Sequence, residues 1–321
     1  MPLLELENIT FGYKDEPVIK NFNLSVEKSE FTTLLGASGC GKTTVLRLTS
    51  GFLNPQGGLI KINGEIQNRI LPNKRKIGIV FQDYALFPHL TVEQNLYYGL
   101  KLKSDFKKNK KENEERVNQV AKNLGLEKLL KRLPGELSGG QQQRVALGRS
   151  LVLEPEILLM DEPLSSLDTN LRVRVREELK EIQQELKITT IYVTHDQEEA
   201  LSLSDKIAVM KDGNIIQYDN PHKLYFEPKD EFVANFVGRA NIIYEGEKKY
   251  LVRPEWIKIQ KLNEGIAQGN AKVLSSSFFG DVIQYKLDFN GRKIVACTNS
   301  ALEVINQNEF VNVEILRKWP L

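Results

Sequence analysis

The chain of 321 residues carries 44 Lys+Arg against 42 Asp+Glu, a formal net charge of +2. That balance excludes a nucleic-acid binder driven by overall charge, and the length allows two or three domains with a buried core. Two cysteines, Cys40 and Cys297, are too few for a disulfide framework. MPLLELENITFGY lacks a basic and then apolar leader, and no apolar run nears the ~20 residues of a membrane helix, so a cytosolic chain is expected.

Residues 1–30 and about 57–72 alternate as an antiparallel β subdomain would, for example in GLIKING. Between them FTTLLGA is a short run of β-formers, read as a buried strand. LLGASGCGKTTVLRL follows, and Gly36 to Thr43 fits G-x-x-x-x-G-K-[ST], a phosphate loop between strand and helix. Gly36, Gly39 and Gly41 let backbone N–H groups turn inward around phosphate oxygens, and the helix from about Lys42 adds its positive end. Lys42 then reaches the β- and γ-phosphates, and the Thr43 hydroxyl is placed to ligate Mg²⁺. Cys40 suits a small spacer between glycines; the alternative is a reactive thiol, because a helix N-terminus lowers a thiol pKa.

Residues about 88–153 read as a helical insert. Its lysine-rich stretch KLKSDFKKNKKENEERVNQVAKNLGL is expected to be a solvated face rather than a lipid contact, since the acids of ENEE follow at once. LSGGQQQRVALGRSL, 137–151, supplies a second helix start aimed at an anion: Ser138 is a good N-cap, and Gly139 and Gly140 expose backbone N–H groups. One phosphate loop with two anion-receiving helix starts suggests that two chains share each nucleotide, which fits neither a kinase nor a GTPase. EILLMDEP, 156–163, is a buried strand ending in Asp161 and Glu162, and acidic residues at the carboxyl end of a parallel strand face the ligand crevice. Asp161 can hold Mg²⁺, and Glu162 can polarise an attacking water as general base. TTIYVTHD, 189–196, is a third such strand and ends in His195, expected at the γ-phosphate. After about residue 240 the segments KYLVRPEWIKI, AKVLSSSFFGDVIQYKLDF, GRKIVACTN and FVNVEILR suggest a small β-barrel, without the basic–aromatic face of an oligonucleotide binder.

Together these motifs resemble the ATP-binding subunits of ABC transporters, from about residue 3 to 238. The resemblance implies an α/β P-loop NTPase: a RecA-like core with antiparallel β and helical subdomains over 1–238, then a regulatory OB-like β-barrel over 239–321. Gly36–Thr44, with Ser38, Cys40 and Thr44, resembles the Walker A loop that binds ATP. Gln82 resembles the Q-loop glutamine, which touches Mg²⁺ and senses the membrane subunit. Leu137–Gln141, with Ser138, Gly139, Gly140 and Gln141, resembles the signature motif that closes over ATP on the opposite subunit. Asp161 and Glu162 resemble the Walker B aspartate and catalytic glutamate, and His195 resembles the switch histidine. SSLD, 165–168, resembles the D-loop, with Asp168 at the nucleotide and Ser166 where alanine is usual. Tyr13 in FGYKD resembles the aromatic that stacks on adenine. VRPE, 252–255, and FFGDVIQY, 278–285, resemble the regulatory domain of importer-type ATPases.

The implied protein is a homodimeric ATPase using ATP and Mg²⁺, peripheral on the cytoplasmic face of the inner (cell) membrane. Its partners would be permease subunits and, through them, a substrate-binding protein, with no nucleic acid. Tyr84, Phe87, Pro88 and Leu90 are expected either to line a groove for a short permease helix or to pack the insert's own core. GASGCGKTT and the overall length resemble ferric-iron importer subunits; polyamine, sulfate, phosphonate and sugar importers share nearly every other motif. Related ATPases that act on DNA or ribosomes usually carry long coiled-coil inserts or two cassettes, and neither is visible here.

Overall fold

The computed structural model describes residues 2–14, 16–104, 106–262, 269–301 and 304–321. Two units divide at Pro221/His222. The expected boundary at 238/239 falls after two short helices that lie within the second unit.

In the first unit, β1 (Leu4–Tyr13), β2 (Glu16–Val26), β4 (Gly57–Ile62) and β5 (Glu65–Ile66) form an antiparallel sheet in the order β2-β1-β4-β5. A second sheet runs β10-β9-β3-β8-β7-β6, from β3 (Phe31–Gly36), β6 (Ile77–Val80), β7 (Ile157–Asp161), β8 (Thr189–Thr194), β9 (Lys206–Lys211) and β10 (Asn214–Asp219). All its neighbours are parallel except β10 on β9. The central strands β3 and β8 are buried along their whole length because both faces are covered, as parallel sheets require. Ile157 and Leu159 of β7, with Ile191 and Val193 of β8, face a core shared with the antiparallel sheet and α1 (Lys42–Ser50). Leu158, Met160 and Tyr192, one residue out of phase, face the opposite core. That core holds α2 (Val92–Lys101), α3 (Lys110–Asn123), α4 (Gly139–Leu151) and α5 (Thr169–Leu186), with α6 (Gln197–Leu203) contributing Leu203. The carbonyls at the end of α1 are held by buried Arg75, which donates to Leu48 and Thr49 and also to Gln67 and Ile70.

The second unit contains α7 (Pro221–Phe226) from His222 onward, α8 (Glu231–Phe236) and two antiparallel sheets. One is β11 (Asn241–Glu245), β12 (Lys248–Val252) and β18 (Trp319–Pro320). The other runs β13 (Ile257–Lys261), β17 (Phe310–Ile315), β14 (Ala271–Phe278), β15 (Val282–Phe289) and β16 (Arg292–Asn299). The strands fall on the segments read from sequence and make the expected small β domain, without closing into a full barrel: β13 and β16 remain the two ends of their sheet among the described residues. The Asn241 amide of β11 links the unit's two sheets at β16. It accepts from Val295 N–H at 2.7 Å and donates to Val295 O at 2.8 Å and Val252 O at 3.1 Å.

The VRPE motif has a packing role here. Arg253 is fully buried and donates to the carbonyls of Tyr225 (2.8 and 3.0 Å), Ala234 (2.8 Å) and Arg239 (2.8 Å), with its guanidinium 4.1 Å from the Tyr225 ring centre. One side chain thus ties α7 and α8 to the strands. Arg253→Leu removes the donor to three carbonyls, at about 1–3 kcal/mol for each one left buried and unsatisfied. Hydrogen exchange should show lost protection across α8 and β12, while exchange in β3 and β8 stays unchanged.

Candidate nucleotide site

Strand register sets the site. Leu35 pairs with Thr194, and Asp161 with Val193, so Gly36, Glu162 and His195 leave the sheet at nearly one level. This is the carboxyl edge of the parallel strands, where α/β proteins bind ligands. A cleft of about 860 Å³ lies at the other ends of these strands beside Glu156, Ile188 and Thr189, and includes none of the candidate residues.

After β3 the chain curls through exposed Ala37, Ser38 and Gly39 into buried Cys40 and Gly41. Gly39 has φ +84° and Gly41 φ +103°, conformations that favour glycine. A Cβ at Gly41 would stand 2.7 Å from Ile19 Cδ1, so β2 presses against the loop. Gly41 is the N-cap of α1 and offers no side chain to its first turn, which leaves those N–H groups for an anion. Lys42 is buried and donates to Gly36 O at 2.7 Å and Ala37 O at 3.0 Å, folding over the loop. Thr44 is buried beneath it. Cys40 is buried, and burial raises its thiol pKa against the lowering by Lys42 and the backbone N–H groups, which favours the spacer reading over the reactive thiol.

Thr43 Oγ1 donates to Asp161 Oδ1 at 3.1 Å. A hydroxyl and a carboxylate so placed are hard oxygen donors suited to a divalent cation. Burial, and secondarily Glu162, raises the Asp161 carboxyl pKa; Thr43, Arg47 and Lys42 offset part of this. Glu162 sits at φ +44°, a left-handed conformation unusual for a non-glycine, and is held there by its N–H to Val193 O at 3.0 Å. The Ser165 hydroxyl donates to Glu162 O at 2.8 Å. His195 Nδ1 lies 3.0 Å from Glu162 Oε2. Gln82 is exposed at the end of β6, next to β7. Tyr13 is exposed at the end of β1, edge-on to Phe11 at 5.0 Å.

Ser138 caps α4 through a capping box with Gln141: Ser138 Oγ accepts from Gln141 N–H at 3.4 Å, and Gln141 Oε1 accepts from Ser138 N–H at 3.0 Å. Gly139 packs on Leu167 and Gly140 on Val175 and Leu171, so this helix start rests on α5 and the loop before it. Asp168 caps α5 through Leu171 N–H. The groove reading changes at Tyr84. Its ring is buried, and its hydroxyl donates to Pro163 O at 3.1 Å and accepts from Ser166 Oγ at 3.2 Å, tying it to the loop after Glu162. Phe87 and Leu90 are half-buried and Pro88 is exposed; Phe87 lies 4.1 Å from Tyr98, between rings and Arg149. Sequence reasoning overlooked Ser165 and the residues behind His195. The alternation of β8, which puts Tyr192 and Thr194 on one face, was the available signal.

The chain matches the ABC transporter family over residues 19–165. It is 43% identical over 316 residues to the Fe(3+) ions import ATP-binding protein of Brucella abortus, covering 90% of this chain and 88% of that one. The corresponding protein of Fusobacterium nucleatum is 50% identical over 240 residues, 75% of this chain and 64% of its own length. The spermidine/putrescine import ATP-binding protein of Clostridioides difficile is 43% identical over 315 residues, covering 90% and 89%. Among solved structures, cbiO1 from Clostridium perfringens, part of an ABC transporter complex, superposes with a TM-score of 0.62 at 31% identity over 74% of this chain and 92% of that one.

A raised carboxyl pKa favours the protein below the unfolded-state pKa and costs stability as pH rises through the folded value. At neutral pH the charged Asp161 is therefore destabilising without a cation. Asp161→Asn should raise the melting temperature of the nucleotide-free protein at pH 7.5. About 1 kcal/mol would move it by roughly 2–4 °C. At pH 4 the gain should shrink, and differential scanning calorimetry at both pH values checks the sign.

Proposed function

This chain belongs to the ABC transporter ATP-binding proteins, and we propose that it hydrolyses ATP to drive an importer whose cargo is ferric iron. The observation that carries the ATPase reading is the row of Lys42, Thr43–Asp161 and Glu162–His195 along one strand edge. The uncapped N–H groups of α1 receive phosphate oxygens, and Lys42 exchanges its carbonyl partners for the β- and γ-phosphates. Thr43 and Asp161, with Gln82 at the next strand end, would hold Mg²⁺, which neutralises charge developing on the phosphates. Glu162 takes the proton of the attacking water. His195, bonded to Glu162, keeps that carboxylate aimed and faces the γ-phosphate. Tyr13 offers an exposed ring to the adenine.

The start of α4 supports a shared site. Gly139 and Gly140 pack on α5 and the loop before it and leave Ser138 exposed at the helix N-terminus, as needed to receive the γ-phosphate held by a second copy. Asp168 would lie at the same dimer contact. The permease surface is supported by two exposed aromatic rings, Phe52 and Phe81, paired at 6.4 Å beside Gln82, with Pro88 also exposed. This chain would then sit on the cytoplasmic face of the membrane through its permease, with a substrate-binding protein delivering cargo. Ferric iron is favoured by two relatives named for Fe(3+) import. Polyamine is the second reading, since relatives named for spermidine/putrescine reach the same identities. Uptake of radiolabelled ferric iron and of spermidine by cells lacking the gene separates them: loss of iron uptake alone supports the first, and loss of spermidine uptake alone replaces it.

Glu162→Gln keeps shape but removes the base, which typically contributes ~10²–10⁴ in rate. Nucleotide affinity should persist, and an ATP-bound dimer should accumulate on size exclusion. Ser138→Arg should leave ATP binding by each monomer intact and abolish both that dimer and turnover; a dimer that still forms and turns over would remove the shared site.

A further inference from the structure

His195 is weakly held by its own side chain. Its imidazole is 55% exposed, and the bond to Glu162 is the contact that aims it. The backbone on either side is held by a buried network. Tyr192 Oη and Thr194 Oγ1 both donate to Glu199 Oε2, at 2.8 and 2.7 Å. Thr194 Oγ1 in turn accepts from Asp196 N–H at 3.0 Å. Asp196 caps α6 and receives the N–H of Glu199 itself at 3.1 Å. Thr194 thus reaches the Glu199 carboxylate directly and the Asp196 N–H reaches it through the Thr194 hydroxyl, and Glu199 is only 3% exposed. Nothing in the hydrolysis described above uses that carboxylate.

A buried acid is costly unless satisfied. Burial raises the Glu199 pKa, and the Thr194 and Tyr192 hydroxyls and Arg172 counter it. A packing role alone would be met by an apolar residue at this site. Here two hydroxyls from one face of β8 converge on a single oxygen, and the chain they anchor turns directly into His195. Arg172 of α5 adds a contact from outside, at 3.6 Å from Asp196 Oδ2.

We propose that Glu199 is a positioning residue for hydrolysis, fixing the turn at Thr194–Asp196 so that His195 meets Glu162 and the γ-phosphate. The proposal rests on the assignment of hydrolysis to Glu162 and His195. Because both hydroxyls donate to one oxygen, an amide at this position can accept both bonds. The positioning role needs an acceptor rather than a charge.

The test measures kcat, ATP affinity and melting temperature for Glu199→Ala, Glu199→Gln and Thr194→Val, each alone and combined with His195→Ala. A misplaced catalytic group costs about tenfold to a hundredfold. Glu199→Ala and Thr194→Val should each lower kcat by at least about tenfold with ATP affinity within about twofold, and Glu199→Gln should restore kcat. With His195 already removed, neither Ala nor Val should lower kcat further. Thr194→Val preserves volume and reads the same link if Glu199→Ala does not fold. An unchanged kcat in Thr194→Val, or losses that multiply with that of His195→Ala, overturns the proposal. A His195→Ala protein that hydrolyses ATP at the unmodified rate instead overturns the underlying assignment of His195.

Discussion

Parallel pairing of β3 with β8, and of β8 with β7, is the constraint on which the site depends. A parallel ladder fixes how far each strand runs before it leaves the sheet. Here Leu35 is set against Thr194 and Asp161 against Val193. Three separate stretches of chain, more than a hundred residues apart between the first and the others, therefore deliver their functional residues to one edge. A slip of one residue in β7 would send Asp161 away from Thr43 and turn Leu158 and Leu159 into each other's cores. The packing of both faces is thus what holds this register.

Two buried arginines use one solution at distant points. Arg75 and Arg253 are each enclosed with main-chain carbonyls rather than carboxylates as their acceptors, and burial lowers the pKa of both. A planar guanidinium can satisfy several carbonyls that no ladder reaches. Arg75 does so where α1 ends, so the helix that begins at the phosphate loop is secured at its far end. Arg253 does so where two short helices meet strands that bury little of them.

Much of this was legible in the sequence because it rests on local rules. Glycine spacing, a polar helix cap and short runs of β-formers each have a fixed period or offset, and they single out Gly36–Thr44, Ser138, Asp161, Glu162 and His195 as candidates at strand ends and helix starts. What escaped depends on which surfaces meet. Alternation found the strands after residue 240 but carried no information on whether β13 and β16 pair. Nor does any strand pattern register the Asn241 side chain, which ties β11 to β16. Tyr84 and Ala85 both adopt positive φ, at 59° and 45°, and such a turn reverses the inward and outward sense that a reader extrapolates from β6. Glu199 lies beside exposed Glu198 in an acidic helix start. Nothing in DQEEA marks which of the two is buried.

The lysine folded over its own loop has a consequence for the cycle. The buried Lys42 ammonium rests on two carbonyl oxygens of its own loop. Under the proposed function, an arriving phosphate would replace those acceptors while the loop keeps its curvature, so little ordering entropy would oppose capture. The same two carbonyls would take the ammonium back when phosphate leaves, so that no stranded charge resists product release.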